Sequence, residues 1–182
     1  MGRAARAKRE PADLKLDFGC GPNKRVGFTG VDIRAFPGVD VVTDLRRAPW
    51  PWKDASVTEA HASHFLEHLT AEERIVFVNE LYRVLMSGAS CQIIVPHWNA
   101  SRAYGDLTHQ WPPVSEFWFY YLKQDWREAN APHNDFYHCN FEVTWGYALR
   151  PDLLTRNQEY QAFALANYKE VAQDTMANLK KL

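Results

Sequence analysis

The sequence predicts an α/β fold built on a mostly parallel sheet, and three observations carry that expectation. Short apolar runs bounded by turn residues recur at Leu14–Phe18, Phe28–Ile33, Val39–Val42, Val57–Ala62 and Ala89–Val95. A strongly signalled helix lies among them: Thr70-Ala-Glu-Glu73 has the hydroxyl and carboxylate of a capping box. Ile75, Val78, Leu81, Tyr82 and Leu85 follow it at helical spacing, up to Ser87-Gly88. Strands interleaved with a helix favour parallel pairing. The 182 residues, 46% hydrophobic and 24% charged, suffice for one domain with its own core.

Taken in order, residues 1–11 form a basic segment with four of the 21 Lys and Arg side chains, expected to be a disordered tail. Residues 12–96 hold the five apolar runs and the capped helix. Only Pro22–Gly27 separate the first run from the second, and Arg34–Gly38 the second from the third. A parallel crossover takes a dozen or more residues, so the first two crossover helices are expected to be reduced to turns, leaving one sheet face poorly covered. Residues 97–140 break the pattern with an aromatic insertion holding Trp98, Trp111, Trp118 and Trp126. The closing part, 141–182, opens on the run Asn140–Leu149, which alternates like an antiparallel strand. From Asp152 to Leu182, Tyr160, Phe163, Ala164, Tyr168, Val171, Thr175 and Leu179 approximate one stripe of a long helix. That helix, or a second copy of the chain pairing through it as a homodimer, is expected to cover the bare face.

Composition excludes several classes. A formal charge of −1 argues against a dedicated polyanion binder. No stretch approaches the ~20 apolar residues of a membrane span, and the first residues lack the apolar core of a signal peptide. Cys20, Cys91 and Cys139 are odd in number and lack metal-ligand spacing, so reduced thiols and a cytoplasmic setting are expected.

The chemistry is concentrated in Leu14-Lys-Leu-Asp-Phe-Gly-Cys-Gly-Pro-Asn23, where an apolar strand ends in Asp17 and bends through Gly19 and Gly21. Glycines at a strand's carboxyl end let the backbone approach a ligand closely. The dinucleotide pattern Gly-x-Gly-x-x-Gly fails because Lys24 holds its third glycine position, and the next strand-end acid, Asp32, comes too early. With Asp32 following Val31, the segment resembles the cofactor motif of class I S-adenosylmethionine-dependent methyltransferases, of the small-molecule type. Ala62-Ser-His-Phe-Leu-Glu-His-Leu69 and Leu81-Tyr-Arg-Val-Leu-Met-Ser-Gly88 are similar to later segments of that family. The resemblance covers about Leu14 to Pro96 and implies a Rossmann-like core binding S-adenosyl-L-methionine. It implies that Asp17, Gly19 and Gly21 hold the cofactor's amino-acid end, that Asp32 holds the ribose, that Asp44 and Leu45 hold the adenine, and that Ile33 also contacts the cofactor. Ser63 and His64 would lie beside the sulfonium. Asn23 stands where many members have a third glycine, a substitution that left-handed geometry tolerates.

Two further patterns bear on function. His64-Phe-Leu-Glu-His68 matches the His-x-x-Glu-His pattern of inverted zinc peptidases. It lies between a strand and a capped helix start with little room for a metal-bearing helix, so no metal is expected there; His133, His138 and Cys139 are a weaker metal candidate without a recognised spacing. In the insertion, Asp106-Leu-Thr-His109 resembles a substrate-side segment of small-molecule methyltransferases. A histidine titrating near neutrality suits a general base; His109 is the first candidate and His97 the second, with Asp106 as orienting partner. Trp98, Tyr104 and Trp111 are candidates to enclose an acceptor.

The expected activity is methyl transfer to an oxygen or nitrogen of a small-molecule or sugar-like acceptor. A nucleic-acid acceptor is disfavoured, because Ser63-His-Phe-Leu stands where amino-methylating enzymes carry Asp/Asn-Pro-Pro-aromatic. The rival is a non-catalytic cofactor-binding or scaffold subunit whose aromatic insertion docks a protein partner.

Overall fold

The computed structural model describes residues 13–182; the expected basic tail lies outside them. Seven strands form one sheet: β1 (Lys15–Phe18), β2 (Thr29–Asp32), β3 (Val41–Val42), β4 (Val57–Ser63), β5 (Leu85–Pro96), β6 (Phe141–Leu149) and β7 (Ala172–Lys181). Their spatial order is β3-β2-β1-β4-β5-β7-β6. β1 to β5 pair parallel, whereas β7 runs antiparallel to both β5 and β6. The reversed strand is therefore β7, and β6 points the same way as β1.

The capped helix is α1 (Ala71–Val84). Thr70 Oγ1 accepts from the Glu73 amide at 3.3 Å and Glu73 Oε2 accepts from the Thr70 amide at 2.9 Å, closing the predicted box. The helix ends at Val84, earlier than Ser87-Gly88, because Leu85 already pairs with Val57 in the sheet. Its Phe77, Val78, Leu81 and Val84 are buried against Leu16 and Phe18 of β1 and Ala60 and Ala62 of β4. Phe77, Phe18 and Trp50 stack at centroid distances of 4.9–5.5 Å. The short helices α2 (Arg102–Gly105), α3 (Glu116–Tyr120) and α4 (Gln124–Asn130) lie in the insertion. Phe119, Leu122 and Phe141 extend the same core toward β6.

No helix separates β1 from β2 or β2 from β3, as the short spacings predict, and the β3–β4 connection has none either. A tight loop replaces the first. Asp17 accepts from the Arg25 amide at 2.7 Å, and Asp40 accepts from the Gly30 amide at 2.7 Å and from Lys24 Nζ at 2.8 Å. Gly30 must be glycine, since a Cβ there would meet the Gly38 carbonyl oxygen at 2.9 Å, besides Lys24 Cδ at 2.8 Å and Cys20 Sγ at 2.9 Å.

The expected long C-terminal helix is corrected. Only α5 (Gln158–Asn167) is helical, and Ala172–Lys181 is strand β7, hydrogen-bonded on both edges inside the sheet. A dimer built through a helix from Asp152 to Leu182 loses its basis. The second sheet face is polar instead of covered. Lys15, Asp17, Glu59, His61, Gln92, Asn178 and Lys180 share it by strand alternation. Lys15 Nζ meets Glu59 at 2.9 Å and Arg25 meets Gln92 at 3.1 Å.

Candidate functional site

In an open parallel sheet, ligands bind beyond the carboxyl ends of the strands where the strand order reverses. Here the chain runs from β1 to β2 on one side, while β4 pairs on the other side of β1. A cleft of about 470 Å³ opens there, lined by the predicted Gly19, Asp32, Ile33, Asp44, Leu45 and His64. The walls also include Arg34, Phe36, Phe65, His68, Leu69 and Thr108, which carry no cofactor signature in the sequence.

Local chemistry fixes each wall. Gly19 adopts φ +64°, and a Cβ there would collide with the Phe65 ring, so only glycine admits both the turn and that ring. Asp32, at the end of β2, accepts from the Gly21 amide at 2.9 Å and the Arg34 amide at 2.9 Å. It joins the glycine turn to the next loop, and each oxygen keeps a second lone pair. Asp44 accepts from Arg46 Nε at 2.8 Å and Nη2 at 3.0 Å, and this hydrogen-bonded pairing holds its carboxyl below the usual range. Leu45 is buried and Ile33 half exposed.

Asp17, Gly21 and Ser63 do not line the cleft. Asp17 is buried, with Oδ1 on His61 Nδ1 at 2.7 Å and Oδ2 on the Arg25 amide. One oxygen holds the loop and the other ties β1 to His61 of β4, so Asp17 anchors the glycine turn to the sheet. His64 takes φ +51° at the end of β4, and its Nδ1 lies 3.2 Å from Glu67 Oε1. That hydrogen bond raises its pKa above the ordinary 6.5.

His64-Phe-Leu-Glu-His68 is not α-helical. His64 is left-handed and only Leu66–His68 makes a 3₁₀ turn, so the two histidines do not share a helix face. The inverted-zincin reading fails on this geometry.

The insertion brings its candidates to different places. His97 is buried, its Nδ1 accepting from the Asn99 amide at 3.2 Å and its Nε2 lying 3.1 Å from Glu116 Oε1. Both nitrogens are engaged, which suits a structural clamp. His109 Nδ1 lies 3.2 Å from the Ala103 carbonyl, which can only accept, so Nδ1 donates and Nε2 keeps a lone pair. Asp106 does not bond His109; it accepts from the Thr108 amide at 2.8 Å and hydroxyl at 2.7 Å. Thr108 Oγ1 then accepts from His68 Nδ1 at 3.0 Å, so Asp106 orients His68 through Thr108. The Tyr104 hydroxyl bonds the Trp98 carbonyl, and the Tyr104 and Trp111 rings lie 6.3 Å apart, so the three predicted aromatics cluster, each at least 40% exposed.

The insertion is fastened to the cleft by Arg74 of α1, which is 4% exposed. Its guanidinium donates to the carbonyls of Leu66 (3.0 Å), Pro112 (2.6 Å) and Gln110 (3.3 Å), while the Gln110 amide donates to the Glu67 carbonyl at 2.7 Å. The one sequence signal for Arg74 is an arginine on the buried stripe of an otherwise well-formed helix.

No protein-family model matches the chain, and no curated protein matches it by sequence. Solved structures do. A SAM-dependent methyltransferase from Archaeoglobus fulgidus is 19% identical, with 94% of this chain and 87% of that chain covered and a TM-score of 0.66. One from Methanosarcina mazei is 16% identical over 95% of this chain and 94% of that one, TM-score 0.58. The geranyl diphosphate C-methyltransferase of Streptomyces coelicolor A3(2), solved with Mg2+, geranyl diphosphate and S-adenosyl-L-homocysteine, is 14% identical over 94% and 72%, TM-score 0.51. At such identities the likeness concerns architecture: the chain has the fold of the S-adenosylmethionine-dependent methyltransferases.

Proposed function

We propose that the chain transfers a methyl group from S-adenosyl-L-methionine to an oxygen or nitrogen of a small-molecule or sugar-like acceptor. The supporting observation is the cleft at the β1/β4 switch point, whose lining includes Gly19, Asp32, Ile33, Asp44, Leu45 and His64. The free lone pairs of Asp32 suit two ribose hydroxyls. Asp44, oriented by Arg46, suits the exocyclic amine of adenine, with Ile33 and Leu45 on the ring. Asp17 contributes by holding the glycine turn in place.

The reaction is an in-line displacement. The acceptor heteroatom forms a bond to the methyl carbon, the carbon–sulfur bond breaks, and its electron pair returns to sulfur as the neutral thioether. The acceptor's proton goes to a base. His109, with Nε2 free, is better placed than His97, whose two nitrogens are engaged. Trp98, Tyr104 and Trp111 would enclose the acceptor and exclude water. Alignment supplies most of the acceleration in such a step.

Calorimetry with S-adenosyl-L-homocysteine tests the reading. The folded protein should bind it, with NAD and ATP far weaker, and Asp32→Ala should weaken binding by about 1–3 kcal/mol through lost charge-assisted hydrogen bonds. Absence of binding by folded wild-type protein removes the methyltransferase reading.

A further inference from the structure

Beside the cleft, one carboxylate oxygen of Glu67 and one ring nitrogen each of His68 and His109 lie within 4.8 Å of one another. The two imidazole rings meet edge to face at 4.8 Å between centroids. Hydrogen bonding fixes which atoms remain for a ligand. His109 spends Nδ1 on the Ala103 carbonyl, and His68 spends Nδ1 on Thr108, whose hydroxyl is itself committed to Asp106. Both rings therefore keep the Nε2 lone pair. Glu67 Oε1 is 3.2 Å from His64 Nδ1, whereas Oε2 is buried with no hydrogen-bond partner among the described residues. Glu67 as a whole is 4% exposed. A buried carboxylate oxygen without a partner is costly, and native proteins rarely keep one unless something binds it.

We propose that Glu67 Oε2, His68 Nε2 and His109 Nε2 hold one divalent transition-metal ion of the zinc type. Two neutral imidazoles and one carboxylate are a donor set for zinc or cobalt, in contrast to the all-oxygen sets of magnesium and calcium. Three protein ligands leave a coordination position open, as catalytic sites do and closed structural sites do not. Each histidine has the outer partner that metal-bound imidazoles require, a backbone carbonyl for His109 and the Thr108–Asp106 chain for His68. A tetrahedral zinc site has ligand–ligand edges of about 3.4 Å at ~2.1 Å bonds, so small side-chain rotations close the present spacing. Because His68 and Thr108 line the cleft, the open position would face the acceptor end and take an oxygen of the acceptor. The metal site rests on these residues alone; its part in methyl transfer rests on the reading above.

The ion and a general base compete for the same His109 lone pair, so one experiment separates them. The full chain is stripped with chelator and titrated with ZnCl2, then with CoCl2 while visible absorption is followed, and S-adenosyl-L-homocysteine binding is measured on each sample. One equivalent of Zn2+ per chain is expected, with cobalt giving the intense visible bands of four-coordination. Glu67→Gln, His68→Gln and His109→Gln should each weaken the metal by at least about 100-fold, and Thr108→Val by about tenfold or more. The exposed pair His133→Gln/His138→Gln should bind as wild type. A cooperative urea transition near the wild-type midpoint certifies that each variant is folded. No saturable binding below roughly 10 µM, or binding lost with His133 and His138 but kept in the triplet variants, overturns the proposal and leaves the methyltransferase reading intact. Failure of S-adenosyl-L-homocysteine binding alone would remove that reading and leave the metal site standing.

Discussion

The two faces of the sheet solve the same problem in opposite ways. On one face Leu16, Phe18, Ala60, Ala62, Cys91 and Ile93 lie buried under α1, the aromatic loop before β4 and the insertion. On the other, the alternate positions Lys15, Glu59, His61, Gln92, Asn178 and Lys180 carry polar groups, several paired across strands. A parallel sheet buried on both sides reads as continuous apolar runs; these strands alternate because the connections that would cover the second face are turns. The lesson is that loss of crossover helices is matched by strand polarity, residue by residue, without a compensating helix.

The sharpest test of that contrast is on the covered face. Phe77 is fully buried and its ring touches Phe18, Trp50 and Phe65 at 5.3–5.6 Å. Phe77→Ala should cost about 3–5 kcal/mol in urea unfolding. A loss below ~1 kcal/mol would mean that this layer is not where the core's stability resides.

The covered face also has a polar exception at its β6 end. His97 Nε2 and Glu116 Oε1 pair at 3.1 Å beside Tyr147, and His97 is 5% exposed. His97→Ala strands a half-buried carboxylate and should cost about 1–3 kcal/mol, while S-adenosyl-L-homocysteine affinity stays near wild type. His109→Gln should do the reverse, lowering turnover with little change in the unfolding midpoint. Equal damage to stability and ligand binding by both would erase the distinction between clamp and chemistry.

How much of this was legible in the sequence depended on the range of the interaction. Gly19, Asp32 and Asp44 could be read because strand-end turns are local chemistry. The capping box at Thr70 could be read for the same reason. Strand β7 could not, because Ala172-Gln-Asp-Thr-Met-Ala-Asn-Leu-Lys-Lys181 is rich in good helix formers. Pairing with β5 on one side and β6 on the other overrides that preference. A period-2 signal was present in Thr175, Ala177 and Leu179, buried against the exposed Asn178 and Lys180. The meeting of Glu67 and His68 with His109 was also out of reach, since it depends on buried Arg74 drawing distant carbonyls together.

Acid provides a finer probe of the covered layer. Glu80 of α1 bonds Arg83 at 2.6 Å and accepts from the Trp50 amide at 2.6 Å, tying α1 to the loop that replaces the third crossover helix. The Arg83 hydrogen bond outweighs burial and holds the Glu80 carboxyl below its ordinary 4.5. A depressed carboxyl contributes stability that is complete above its unfolded pKa and disappears as pH falls through the folded value. Urea midpoints should therefore drop as pH falls below about 4.5, and Glu80→Gln should flatten that part of the profile. An unchanged slope in Glu80→Gln would assign the acid sensitivity to other carboxylates.

The smallest expected effect is the most informative about the open face. Gln92 sits mid-strand in β5, exposed, with its side chain on Arg25 at 3.1 Å. If that face is solvated in solution, Gln92→Ala removes one exposed hydrogen bond and should change stability by no more than about 0.5 kcal/mol. The wild-type midpoint should also be independent of protein concentration. Were a second copy to cover the strands, both expectations would fail together. Gln92→Ala would then disturb a buried interface, and the midpoint would rise with concentration by mass action. A large effect at constant midpoint would point instead to cover from the chain's own residues. The polar character of Lys15, Glu59, Gln92 and Lys180 argues for solvent, since a stable interface core is depleted in charged side chains.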